Sequence, residues 1–283
     1  MNILGIHNVN LMVGRTVCFI FLFILLLFSY AHTAVDSPIQ SPARPFSLDI
    51  VDTVKIAGSD DASIDFQNNY LPTMSGWGNM DLTAPSFTDL TSTIALDPSK
   101  ISLATQYYTR VYFIDENTNY KNTLGFNTSG GGISEGNPLL IFPDASTSSK
   151  RKKQTPLLSG DFVDLGTIQG GSQLDFFLIA NGAKGGTDVF STQTSINPDG
   201  LGHALAFARP DSPYLFIGFE DLYGDTQGDY KDLLYAVDIG RANVGALTNM
   251  PEPSTLFILS SFIGLVIYRK YRLDLFEDTT GSA

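Results

Sequence analysis

Tyr214-Leu215-Phe216-Ile217-Gly218-Phe219 and Leu233-Leu234-Tyr235-Ala236-Val237-Asp238-Ile239 decide the fold class, because each is a short run rich in aromatic and β-branched residues bounded by turn formers. Runs of the same kind recur along the chain, and they predict further strands near Phe46–Ile56, Ile101–Ile114, Leu139–Phe142, Phe162–Ile168, Leu174–Ala180 and His203–Ala208. Between Val35 and Asn249 no segment keeps apolar residues at i, i+3, i+4 and i+7 through three helical turns. The expected class is therefore all-β, an antiparallel β-sandwich in which stacked sheets bury two apolar faces. Connections such as Thr128-Ser129-Gly130-Gly131-Gly132 and Asn181-Gly182-Ala183-Lys184-Gly185-Gly186 read as turns or loops.

The chain has 283 residues with 17 Lys+Arg against 29 Asp+Glu. Within residues 35–253 the count is 13 basic and 26 acidic side chains, a net of −13. Such a field repels phosphate backbones, so nucleic acid is not an expected partner, while divalent cations are. Of the 26 acids 22 are Asp, which prefers turns and metal loops over helices. The one cysteine, Cys18, lies in an N-terminal apolar run, so the region beyond it offers no disulfide, thiol nucleophile or thiolate metal site. His7 and His32 fall in or beside the leader, so the mature domain is expected to hold only His203, which excludes an imidazole-rich zinc site.

Both ends read as targeting segments. Arg15 precedes an uncharged run from Val17 to Phe28, and Ser29-Tyr30-Ala31 supplies a small-x-small cleavage pattern, so residues 1–31 are expected to be a signal peptide. At the other end Pro251-Glu252-Pro253 is followed by an apolar stretch over residues 254–268 and then by Arg269, Lys270 and Arg272. The stretch has no polar face, and the basic cluster would hold the C-terminus inside, leaving residues 35–253 outside the cytoplasm. The order of triplet, single transmembrane helix and basic cluster resembles the PEP-CTERM sorting signal. That resemblance implies handling by an exosortase-like processing enzyme at the inner membrane of a Gram-negative bacterium that makes extracellular polysaccharide. The tail Leu273 to Ala283 departs from the pattern, since such signals usually stop soon after the basic cluster.

The densest candidate chemistry is Gly218–Asp232, in which Glu220, Asp221, Asp225, Asp229 and Asp232 fall within 13 positions among glycines that let the backbone turn. Unpaired, these carboxylates repel; Ca²⁺, a hard cation that takes oxygen ligands flexibly, removes that cost. The spacing is not that of an EF-hand, and on the residues alone a solvated acidic loop remains the alternative. Gly218–Asp232 with the run after it, Phe177-Leu178-Ile179-Ala180-Asn181-Gly182 and Asn197–Phe207 resemble the domain of unknown function 4114 family, with weaker echoes from Phe113, over roughly residues 105–240. The family occurs in secreted bacterial proteins, and the resemblance places Glu220, Asp221, Asp229 and Asp232 at the acidic positions of a turn suited to calcium. Lys231 stands where the motif prefers Asn, and a cation among the ligands would weaken the metal. Asn197 and Asp199 are secondary metal candidates, with a plain turn as the alternative.

Other motifs carry less. Gly132-Ile133-Ser134-Glu135-Gly136 matches a nucleophile elbow in spelling, but Asn137-Pro138 follows where that motif needs a helix. His203 sits in an alternating strand and is expected to be structural, and Lys150-Arg151-Lys152-Lys153 reads as a solvated loop tip, with a docking patch for an acidic polymer as the alternative. Trp77, Tyr107, Tyr108, Tyr112 and Tyr223 lie among polar neighbours and suggest a glycan surface, core filling being the alternative.

The organisation expected is a signal peptide at 1–31, a β-rich region at 35–100, a β-sandwich at 101–240, a linker at 241–250, the sorting signal at 251–272 and a tail at 273–283. Residues 35–100 are either a separate lobe or extra strands of the same sandwich. The functional expectation is an exported, non-enzymatic, calcium-stabilised surface or matrix protein. Its rivals are a carbohydrate-binding module acting on secreted polysaccharide and an envelope hydrolase using carboxylates such as Asp225 and Asp229.

Overall fold

The computed structural model describes residues 37, 39–147, 157–224 and 228–248. The leader, the Lys150–Lys153 cluster, Asp225, the sorting signal and the tail lie outside the described residues. Among the described residues ten strands form two sheets. They are β1 (Ile94–Leu96), β2 (Tyr107–Asp115), β3 (Thr123–Asn127), β4 (Leu139–Phe142), β5 (Phe162–Ile168), β6 (Asp175–Ile179), β7 (Val189–Ser191), β8 (Ala204–Ala208), β9 (Tyr214–Phe219) and β10 (Leu233–Asp238). A six-stranded sheet runs β1-β8-β9-β10-β2-β5 and a four-stranded sheet runs β4-β3-β6-β7, with every strand pair antiparallel.

Side-chain alternation shows how the large sheet is covered. On β10, Leu233, Tyr235 and Val237 point into the core facing the second sheet, while Leu234 and Ala236 point to the opposite side. On β2, Val111 and Phe113 face inward, and Tyr112 and Ile114 outward. The outward residues are not solvated. They pack beneath three short helices, α1 (Asp61–Asn69), α2 (Leu71–Gly78) and α3 (Phe87–Thr91), which contribute Phe66, Met74, Trp77 and Phe87. Phe66 stacks on Tyr112 with ring centroids 4.0 Å apart. Strands buried on both faces read as continuous apolar runs, which is why β9 and β10 stand out in the sequence.

The expectation of a β-rich region at 35–100 is corrected here: among its described residues only β1 is a strand, and the segment supplies a helical layer on the sandwich. The expected strand at Phe46–Ile56 is absent. That stretch holds a 3₁₀ turn at Pro45–Ser47 and single bridges from Ile50 to Leu140 and from Lys55 to Phe162. Residues 241–250, expected as a linker, contain a fourth helix, α4 (Arg241–Thr248), which buries Asn243, Val244 and Leu247. No helix among the described residues is long and apolar enough to cross a membrane.

A charged network fastens the helical layer. Asp60 caps α1, accepting from the Ser63 amide at 2.7 Å, while its carboxylate takes two bonds from Arg110 on β2, at 3.0 and 2.8 Å. Arg110 also donates through Nε to buried Asp164 on β5 at 2.6 Å and lies 3.9 Å from the centroid of the Phe162 ring. Lys55 meets the other Asp164 oxygen at 2.5 Å. The guanidinium holds the Asp60 carboxyl down at about 2.

Candidate functional site

The acidic site grows from the register of β9 and β10. Leu233 pairs with Phe219, so the residues just beyond them, Asp232 on one strand and Glu220-Asp221 on the other, meet at the loop end of the hairpin. Backbone bonds lock this end: the Asp232 amide donates to the Phe219 carbonyl at 3.1 Å, and the Glu220 amide to the His203 carbonyl at 2.9 Å. Gly228 lets the intervening chain pass over Glu220, because a Cβ there would lie 2.4 Å from the Glu220 carboxylate.

Carboxylate oxygens of Glu220, Asp221 and Asp232 all lie within 4.8 Å of one another. Glu220 and Asp221 are buried and Asp232 is half-buried. Among the described residues, three donors face the group: the Asp221 amide reaches Asp232 at 3.0 Å, the Leu222 amide reaches Glu220 at 3.3 Å, and Asn122 donates to Asp221 at 2.7 Å. Burial first, then the shared hydrogen bond with Glu220, pushes the Asp232 carboxyl up to about 9. Three anions in one partly desolvated spot hold a proton that an isolated aspartate releases near pH 4. The oxygens are all hard donors. Calcium holds its ligands at about 2.3–2.6 Å, so ligand atoms around one ion stand no more than roughly 5 Å apart, which the three carboxylates satisfy.

The cluster opens into a concavity of about 520 Å³, whose opposite rim is the Asn117-Thr118-Asn119-Tyr120 loop after β2. Asp229 lines the same concavity, mostly exposed, and accepts from its neighbour Lys231's amide at 3.0 Å. Lys231 does not line it. Its side chain, 3.8 Å from Asp229, borders an adjacent hollow with Asp115, Glu116 and Asn117, so the cation expected among the ligands sits to one side.

Asn197 and Asp199 are not brought to this cluster's shared point. The Asn197 side chain accepts from the Ser191 amide at 2.7 Å and donates to the Leu201 carbonyl at 2.7 Å. Asp199 accepts from the Leu201 and Gly224 amides and faces His203 Nε2 at 2.8 Å. His203 is fully buried, stacks on Phe190 at 3.8 Å and directs Nδ1 to the Glu220 carbonyl at 3.2 Å, so it braces the site from behind. Asn122 was missed in the sequence. It joins the two sheets, donating to Asp221 and accepting from the Asn181 amide at 2.9 Å, and its only signal was a position in an Asn-rich turn.

The remaining candidates separate. Ser134 lies in an exposed turn followed by no helix. Trp77 and Tyr112 are buried in the layer beneath the helices, whereas Tyr108 and Tyr223 are exposed, so the five aromatics do not form one platform.

Residues 168–240 match the family described as Domain of unknown function (DUF4114). The matched stretch runs from the end of β5 through β10 and contains Glu220, Asp221, Asp229 and Asp232, while Asn122 and the Asn117–Tyr120 rim lie before it. No curated protein and no solved structure matches the chain.

Proposed function

We propose that the chain is an exported, non-enzymatic surface or matrix protein whose β-sandwich is rigidified by a calcium ion held by Glu220, Asp221 and Asp232, with Asp229 at the rim. The carrying observation is the convergence of three carboxylates, two of them buried, on one point. A divalent cation there would replace the shared proton and tie the β9–β10 hairpin to Asn122 and thus to the second sheet. Export, sorting by an exosortase-like enzyme and display near extracellular polysaccharide rest on the leader and the Pro251-Glu252-Pro253 tail.

Thermal melting with chelator and with excess Ca²⁺ tests the metal. A ligand at about 100 times its dissociation constant adds about 2.7 kcal/mol to the folded state. For a domain near 200 residues that raises the melting temperature by about 5–11 °C. An unchanged melting curve in millimolar Ca²⁺ contradicts the proposal. Intact mass of the cell-associated protein tests export, with loss of residues 1–31 expected and a retained leader contradicting it.

A further inference from the structure

The described residues include four arginines, Arg44, Arg110, Arg209 and Arg241, and two of them line a single pocket away from the acidic site. It encloses about 270 Å³ between α2, the turn joining β8 to β9, and the first residue of α4. Arg209 grips Asp211 with two bonds, Nε at 3.0 Å and Nη2 at 2.6 Å. Arg241 donates to the Asp211 carbonyl and, at 3.2 Å, to the Tyr70 hydroxyl. Two guanidinium groups and one carboxylate therefore line the pocket, a local net of +1 in a chain of net −12. Each guanidinium has five N–H donors, so both keep unspent ones.

The other walls have a different character. Half-buried Tyr70 lines the pocket with the buried Met74 and Trp77, while Asn69, Thr73 and Ser212 add amide and hydroxyl groups. A guanidinium fork matches a carboxylate, aromatic walls cover the apolar face of a ring, and small polar groups pair with ring hydroxyls. The volume falls just under the roughly 300 Å³ at which small-molecule sites begin, which limits the occupant to one ring. We propose that this pocket binds a single carboxylated sugar unit, a hexuronate, with Arg241 and Arg209 on the carboxylate and Tyr70 against the ring. The site is independent of the calcium reading: it shares no residue with the acidic concavity.

Trp77 is the chain's only tryptophan, so its emission reports on this pocket alone. Titrating the purified chain with D-glucuronate should give a saturable emission change, and D-glucose should give none at the same concentrations. Arg241→Gln, at an exposed position, should weaken glucuronate at least tenfold while leaving the melting temperature in place. If that variant melts early, Arg241→Lys provides the second arm, because it keeps the charge and loses the fork; the same weakening is expected. Equal responses to glucose and glucuronate overturn the proposal. So do benzoate or inorganic sulfate binding as tightly as glucuronate, no response to glucuronate, or undiminished binding in the Arg241 variants.

Discussion

Replacing Arg110 with methionine should cost the chain about 3 kcal/mol. The guanidinium is bonded to Asp164 at 2.6 Å and to both oxygens of Asp60, beneath the helical layer. Its removal strands Asp164, whose side chain is 6% exposed, with Lys55 as the remaining cation, whereas Asp60 at 41% rehydrates. Breaking a buried ion pair by deleting one partner costs about 3–5 kcal/mol. The retained Lys55 contact and the exposed Asp60 place the loss near the lower end, and the exposed Arg110–Asp60 arm contributes no more than about 1 kcal/mol of it. At roughly 2–4 °C per kcal/mol, the melting temperature followed by circular dichroism should fall by about 6–12 °C. Adding Asp164→Leu to Arg110→Met removes the stranded charge and should recover part of the loss. A fall below about 2 °C, or a double variant no more stable than the single one, refutes the claim that this network anchors α1 to the sheet.

Two further perturbations probe other parts of the structure. Folding raises Asp232 from 3.8 to about 9, so the folded chain keeps a proton that the unfolded chain releases. The stability contributed by this group is complete below the unfolded value and is lost as pH climbs toward the folded one. Without calcium the melting temperature should therefore decline between about pH 4 and pH 9, and Asp232→Asn should flatten that decline; parallel pH curves for the two proteins contradict the assignment. Gly186→Ala puts a Cβ 1.9 Å from the Ala180 carbonyl oxygen and should destabilise by about 1–3 kcal/mol, while Gly76→Ala, in α2 with open space around it, should stabilise by about 0.5–1 kcal/mol. Melting curves of the two variants should move in opposite directions.

The strands legible in the sequence are those whose side chains are buried on both faces or flanked by turn formers. Leu139–Phe142, Phe162–Ile168 and Tyr214–Phe219 stand where the sequence places them. The strands that escaped are short or carry weak signals. β1 and β7 have three residues each, and β3 has Gly125 at its centre, where a Cβ would meet the Phe177 ring at 2.3 Å. Helices α1 to α3 were hidden because each is too short to show three turns of periodicity, and because α1 is capped by Asp60 with Ser63 where the usual pattern has a glutamate. At the acidic site, hairpin register makes Glu220, Asp221 and Asp232 neighbours, which their clustering in sequence foreshadowed. Asn122 and the Asn117–Tyr120 rim come from the β2–β3 connection between the sheets, distant in sequence, and only the packing of the two sheets could reveal them. The arginine pocket joins residues about 140 to 170 positions apart for the same reason.

Equilibrium dialysis of the purified chain against calcium, with bound ion counted directly, bears most immediately on the carboxylate cluster. One ion per chain should bind, at the roughly 0.1–1 mM affinity of extracellular calcium modules. Asp221→Asn and Asp232→Asn should each abolish it, and Asn197→Ala should leave the stoichiometry unchanged. No retained calcium at several millimolar, or retention that survives both aspartate substitutions, contradicts the account.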